Sequence, residues 1–409
     1  MAFDVAITVI GGVVLVIGLF SGWLRQSAVS EHMLALVAGV VLGPAVLGWL
    51  EPQRWGDERQ MMELVARLTM AVGLMGVAMR LPPRFMRRHV PSMLVILGPV
   101  MLAMWLVGGG LTQAVLGVGW LAALLIGAAL TPTDPVLASA IVVGPFAERH
   151  LPEGVRETIS AESGANDGLA VVFVMLPVLL LTESTGAALG LWAVQVMLWE
   201  VLGAVAIGAG LGYAAGRLLK WAERHHTIEQ TSLLAYSLAL SLVVLGLGDL
   251  VNSNGILAVF VAGRAFAGVV TVHERNEEER VQDAVNRFFL LPIFVFFGMV
   301  LPWGAWRELG WAVVALAVLL VVLRRLPAVW AMRRWMGVVR DGREAVLLGW
   351  FGPMGVAAIY YALHVERQVG PLASEVVWPV VSLVVAVSVV VYGVTAAPVT
   401  RWLSRERGV

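Results

Sequence analysis

The residues best suited to chemistry stand in two short stretches, Thr133-Asp134-Pro135 and Glu162-Ser163-Gly164-Ala165-Asn166-Asp167. On a helix, Glu162 and Asn166 share one face a turn apart, and Ser163 and Asp167 share the line beside it. An ionisable side chain at membrane depth costs roughly 2.5–3.5 kcal/mol on insertion scales. Asp134, Glu162 and Asp167, on adjacent apolar spans, are therefore too costly to be filler. Carboxylates, a hydroxyl and freed backbone carbonyls are the oxygen ligands that a hard cation prefers. A carboxyl group taken out of water and set beside others holds its proton more tightly. Such a group can carry a proton or a metal ion, each at the expense of the other. If only the loaded form passes between inward- and outward-facing states, cation and proton exchange without ATP. The plainer reading, a buried acid paired with Arg to fix helix packing, suits Glu162. Asp167 is the better functional candidate, because it faces a carbonyl-rich break and has no fixed cation near it in sequence.

Such a cluster needs helices that stop inside the membrane. The fifth apolar span reads Gly127-Ala128-Ala129-Leu130-Thr131-Pro132-Thr133-Asp134-Pro135, and its prolines displace the carbonyls of Ala128 and Thr131. The twelfth reads Gly349-Trp350-Phe351-Gly352-Pro353-Met354-Gly355, which also loosens a helix at mid-depth. Free carbonyls inside a bilayer are tolerated only where protein or a polar cavity satisfies them. Either break alone is an ordinary kink, since Gly and Pro are common in membrane helices. Both together, at the fifth place of each half, point to an inverted-repeat transporter with a midplane site.

The remainder of the chain is built to hold these spans. Hydrophobic residues make up 59% of its 409 positions and charged residues only 14%. The expected fold is an all-α polytopic membrane protein with about thirteen spans, near 5–24, 31–50, 60–80, 91–112, 118–144, 156–181, 191–218, 231–250, 255–271, 286–302, 309–329, 344–364 and 376–400. Residues 1–182 form a first repeat, 183–229 a linking span and 230–409 a second repeat, within one transmembrane domain over 1–409. Cytoplasmic loops collect Lys and Arg. One alternating set of connections and the C-terminal tail holds twenty-two of the twenty-eight basic residues, counting Arg324 and Arg325, and the other holds Arg54, Arg59, Arg307 and Arg367. Arg67 and Arg264 fall inside spans. That asymmetry requires an odd number of spans, with the N-terminus outside and the C-terminus in the cytoplasm. The start Met1-Ala2-Phe3-Asp4 lacks a basic signal-peptide opening and is expected to belong to the mature first span.

Composition also excludes functions. Lys220, the one lysine, follows no Gly-rich phosphate loop, so no ATPase is expected. The absence of Cys removes disulfides and thiol chemistry. A formal net charge of zero argues against nucleic acid. No cofactor and no enzymatic activity are expected.

At Thr133-Asp134-Pro135 and Glu162 to Asp167 the chain resembles the monovalent cation:proton antiporter-1 family, the bacterial and eukaryotic Na+/H+ exchangers. Gly39-Val40-Val41-Leu42-Gly43-Pro44 and Leu291-Pro292-Ile293-Phe294-Val295-Phe296-Phe297-Gly298 support the resemblance, which covers essentially the whole chain. It implies that Asp167 is the shared cation and proton carboxylate, with Ser163 lending its hydroxyl, Thr133 its carbonyl and Glu162 acting directly or through water. It implies further that Asp134 balances the half-helix dipoles and that Asn166 ties the broken span to its neighbour. Exchange would be electroneutral, the ion Na+ with K+ or Li+ as alternatives, the assembly a homodimer, and the location a bacterial inner membrane. Salt tolerance, pH homeostasis and potassium handling all fit as roles. Many relatives carry Arg where this chain has Met354, so the partner of Glu162 is missing there; Arg264 is a candidate substitute, the plainer reading being that it snorkels or pairs elsewhere.

Weaker signals have simpler readings. Glu63 and Arg67 read as a structural pair one turn apart. His89, His150, His225, His226 and His273 read as solvated loop residues, and Glu274 to Arg280 as a solvated charge run. Gly246-Leu247-Gly248-Asp249 matches an intramembrane aspartyl protease pattern, but no Tyr-Asp pair supplies the partner acid, and a helix cap explains Asp249. A cation channel could use the same ligands. A potassium-efflux antiporter is the nearer alternative, although it usually carries a soluble nucleotide-binding domain, for which no room is expected here.

Overall fold

A chain in hydrocarbon must satisfy its backbone internally, and among the described residues every regular element is a helix. The structure, a computed structural model, describes residues 2–24, 29–82, 84–142, 145–225, 230–270, 285, 288–371 and 373–405. Its principal segments are α1 (Ala2–Leu19), α2 (Glu31–Leu42), α3 (Glu58–Arg80), α4 (Val90–Leu116), α5 (Trp120–Ala129), α6 (Pro135–Val142), α7 (Glu153–Thr182) and α8 (Thr185–Arg224). There follow α9 (Gln230–Leu250), α10 (Gly255–Ala267), α11 (Phe288–Met299), α12 (Trp303–Leu323), α13 (Leu326–Met332), α14 (Gly342–Trp350), α15 (Val356–Val369) and α16 (Trp378–Arg405). Among the described residues, six helices are long and apolar enough to cross a membrane, and shorter apolar helices accompany them. The protein is a multi-pass membrane protein.

Local chemistry sets the helix ends. Asp57 accepts from the Arg59 and Gln60 amides at the start of α3, and Asp341 accepts from Arg343 and Glu344 at the start of α14. Asn254 caps α10 through the Leu257 amide and donates its own amide to the Gly168 carbonyl of α7. The second span is shorter than its apolar run. Helix α2 stops at Leu42 because Gly43 precedes Pro44, a position that disfavours helical backbone. Conversely, α8 begins at Thr185 and reaches Arg224, well beyond both ends of the expected seventh span.

Helix α3 lies at the centre, with Thr69 through Met79 all buried. It touches α10, α15, α9 and α7. The expected Glu63–Arg67 pair is not the one formed. Arg67 reaches Asp249 of α9 at 3.0 Å, and Glu63 meets Arg367 of α15 at 3.1 Å. Each side chain finds an opposite charge on a neighbouring helix, so both acids are spent on packing. Arg25, Arg275, Arg280, Arg287, Arg407, His226, His273 and the charge run from Glu274 to Arg280 lie outside the described residues.

The two supporting glycine stretches meet each other. A Cβ on Gly39 of α2 would fall 1.9 Å from the Val295 carbonyl oxygen, and one on Gly298 of α11 would fall 2.3 Å from that of Leu36. Two backbones in contact leave no room for a side chain. Gly298→Val should therefore lower stability by about 1–3 kcal/mol or more, the usual cost of overpacking. A thermal shift of the purified protein in detergent measures it, and Gly304→Val, where space is open, is the neutral control.

Candidate cation-binding site

The chain is interrupted between α5 and α6 and again between α14 and α15, and the two interruptions face each other. The Asp134 amide donates to the Pro353 carbonyl at 2.7 Å, a backbone bond from one break to the other. The Asp134 carboxylate then spans both helix starts. One oxygen accepts from the Leu137 amide of α6 at 3.0 Å, and the other from the Val356 amide of α15 at 2.7 Å. A carboxylate at a helix N-terminus offsets the dipole and satisfies orphan donors, and here one side chain does so for two helices. The close approach requires Gly355, where a Cβ would fall 2.2 Å from Asp134 Oδ2.

The helix ends on the other side of the breaks carry exposed carbonyls, and an arginine meets them. Arg324, between α12 and α13, donates to the Thr131 carbonyl at 3.2 Å and to that of Gly352 at 2.8 Å. Its neighbour Arg325 donates to the Leu348 carbonyl through Nε and Nη2, at 3.1 and 3.0 Å. Leu348 would otherwise accept from the Gly352 amide, which turns instead to Trp350. Cations complement helix C-termini as anions complement N-termini.

Arg325 also corrects two expectations. Its Nη1 lies 2.5 Å from Glu162 Oε1, so Glu162 has its arginine despite Met354. Arg264, the candidate substitute, donates instead to the Ala78 and Leu81 carbonyls at the end of α3, at 2.7 and 2.6 Å. Arg324 and Arg325 are moreover only 1% and 2% exposed, and are not loop cations. Without them the charge asymmetry stands at twenty to four and keeps its sign.

Around Glu162 the polar side chains form a cluster through its Oε1, while Oε2 has no partner among the described residues. Asn166 donates to Glu162 Oε1 at 2.7 Å and to Thr133 Oγ1 at 2.9 Å, while its Oδ1 accepts from the Thr133 amide at 3.2 Å. Ser163 and Thr133 share a hydroxyl contact of 2.9 Å. This network joins α7 to the α5–α6 break. Asp167 stands apart from it. Its carboxylate is buried, and Oδ1 has no hydrogen-bond partner among the described residues. Tyr361 donates to the Asp167 backbone carbonyl, and not to the carboxylate, at 2.5 Å. Asp167 and Asp134 line one small cavity together with Thr69, Met70, Leu74 and Val356, with room for about one water-sized particle. Ser163 and Thr133 belong to the cluster beside that cavity and do not line it.

A family description, sodium/hydrogen exchanger, transmembrane, matches residues 7–402. This chain belongs to the sodium/hydrogen exchanger family. An exchanger of Saccharomyces cerevisiae, named Na(+)/H(+) antiporter, is 30% identical over 91% of this chain and 41% of its own length. One of Schizosaccharomyces pombe with the same name is 30% identical over 97% of this chain and 90% of its own. The chain spans about half the length of the first curated relatives it matches. Its fold matches that of the sodium proton antiporter MjNhaP1 from Methanocaldococcus jannaschii, with a TM-score of 0.79 and 18% identity over 99% of both chains.

Of the residues expected at the exchanger site, six come together in two layers, the Glu162–Ser163–Asn166–Thr133 network and the Asp134–Asp167 cavity. Sequence reasoning missed Arg324, Arg325 and Thr69. The first two carried a signal, since apolar sequence resumes after them at Leu326-Pro327-Ala328-Val329 and so holds them inside the protein.

Arg325→Met should leave Glu162 buried and uncompensated, costing about 3–5 kcal/mol, whereas Arg325→Met with Glu162→Gln should recover much of it. Thermal melts of the single and double variants decide this. Asp134→Ala removes two caps at once and should cost about 1–2 kcal/mol for each, read in the same assay.

Proposed function

We propose that this chain is a secondary antiporter that exchanges a monovalent cation for protons by alternating access, with Asp167 as the shared carboxylate. The observation that carries the reading is the contrast between two buried acids one turn and a half apart on α7. Each keeps one oxygen without a hydrogen-bond partner among the described residues, but Glu162 is paired with Arg325 and lies off the cavity, while Asp167 lines a cavity of ionic size with no ion pair to hold it. A fixed pair holds structure. An acid beside a cavity and without a fixed cation can take either a proton or a metal ion.

Na+ is the proposed ion, with K+ and Li+ as alternatives; the names of the yeast relatives support Na+, and that of a 27% identical relative from Alkalimonas amylolytica, K(+)/H(+) antiporter NhaP, supports K+ as the first alternative. One cation per proton follows if Asp167 alone changes its load while Glu162 stays paired. The Thr133 carbonyl and the Ser163 hydroxyl are proposed as further ligands that reach the ion in states where the cavity widens. Thirteen crossings in two inverted repeats around α8 are proposed, supported by the facing of the two breaks. A homodimer in a prokaryotic inner membrane, N-terminus outside, rests on the family resemblance and on the basic residues of alternate connections. No resident cofactor is invoked. A channel is less favoured, because two facing broken helices suit alternating access around a midplane site.

Purified protein in liposomes with a pH-sensitive dye inside provides the test. After a pH gradient is imposed, Na+, Li+ or K+ should dissipate it and choline should not, and Asp167→Asn should abolish the effect. The apparent KM for the cation should rise as pH falls, since protons compete for the same oxygen. Equal flux in Asp167→Asn would refute the mechanism.

A further inference from the structure

A second residue lining the cavity beside Asp167 carries a buried oxygen with no partner among the described residues. Thr69, in the buried centre of α3, is 2% exposed, and its hydroxyl has no hydrogen-bond partner among the described residues. Among the described helical threonines only Thr400, in α16 and not at the cavity, shares this state. Thr112, Thr158, Thr182 and Thr395 each donate to the carbonyl one turn back, at 2.6–3.1 Å. Burying a hydroxyl without a partner costs about 1–3 kcal/mol. A valine of the same shape would avoid that cost.

The Asp134 carboxylate, which also lines the cavity, is engaged. Both carboxylate oxygens of Asp134 accept backbone amides from the two half-helices. Met70, Leu74 and Leu290 add only apolar surface. Asp167 Oδ1 and Thr69 Oγ1 are buried oxygens with no partner among the described residues, and their residues line the cavity from different helices, α7 and α3. One negative and one neutral oxygen at a cavity of this size suit a dehydrated monovalent cation. They suit a divalent ion poorly, since such ions favour more charge and more ligands.

We propose that the Thr69 hydroxyl is a direct cation ligand of this exchanger, completing the site from α3 and contributing to ion affinity and selectivity. The proposal rests on the assignment of Asp167 as the exchanging carboxylate. Thr69 brings no charge of its own and takes no proton from the cycle. It therefore acts on cation binding and leaves the number of protons moved per cation unchanged. In the proton-loaded state the same hydroxyl accepts the hydrogen bond of the Asp167 carboxylic acid, so the cavity is satisfied with either load.

Cation-dependent proton flux in liposomes, measured for Na+, Li+ and K+ with Thr69→Val, Thr69→Ser, Asp167→Asn and the wild type, tests it. Thr69→Val should raise the apparent KM for the preferred cation about fivefold to tenfold with little loss of maximum rate. Thr69→Ser, which keeps the hydroxyl, should restore the wild-type KM. Thermal stability of Thr69→Val should be unchanged or higher, because a partnerless hydroxyl is removed. An unchanged KM and ion preference in Thr69→Val, with Asp167→Asn inactive, would overturn the role of Thr69 alone. A marked fall in stability would assign the hydroxyl to structure and overturn it equally. Retained exchange in Asp167→Asn would instead overturn the underlying assignment.

Discussion

Everything in this site depends on the satisfaction of backbone groups where two helices stop inside a membrane. A broken span exposes amides at one half-helix and carbonyls at the other, and hydrocarbon offers neither a partner. Two facing breaks allow the ends of like polarity to share one. Asp134 takes the amides of α6 and α15, and Arg324 takes carbonyls at the Thr131 and Gly352 ends. A single anion and a single cation thereby close four helix termini. The small residue Gly355 is what lets the anion sit between them.

Charge distribution follows from that arrangement. Asp134 and Arg324 are held by backbone, and Glu162 by Arg325 and Asn166. Of the three acids, Asp167 has neither an arginine nor two capped half-helices holding its carboxylate, and it borders the cavity. The surroundings therefore separate structural acids from the exchangeable one, although all are carboxylates buried at similar depth.

Much of this was legible in the sequence because proline and glycine announce their effects locally. The displaced carbonyls at Ala128 and Thr131 follow from Pro132 and Pro135. The structure fills both places, with the Thr131 amide at Ala128 and Arg324 at Thr131. The partner of Glu162 was not legible, because Arg325 stands 163 positions away and local spacing cannot register such a pair. Arg264 looked suitable only because it too lay inside a span. It was drawn off by carbonyls at the end of α3, where the helix stops at Leu81-Pro82 and leaves acceptors unfilled. Glu63 and Arg67 failed for the same reason, since one-turn spacing permits a pair but neighbouring helices offered better ones. Thr69 gave no signal, as a hydroxyl in an apolar helix ordinarily bonds its own backbone. Of the span ends, that of α2 was readable from Gly43-Pro44, and the extension of α8 was not.

The central claim is that proton and cation compete for one carboxylate, and proton release on binding tests it most directly. Purified protein in detergent, in weakly buffered solution, is titrated with Na+ while proton release and heat are followed. The expected result is release approaching about one proton per cation bound at pH values where Asp167 is protonated, fading as pH rises, and absent in Asp167→Asn. Saturable cation binding with no proton release at any pH would contradict it.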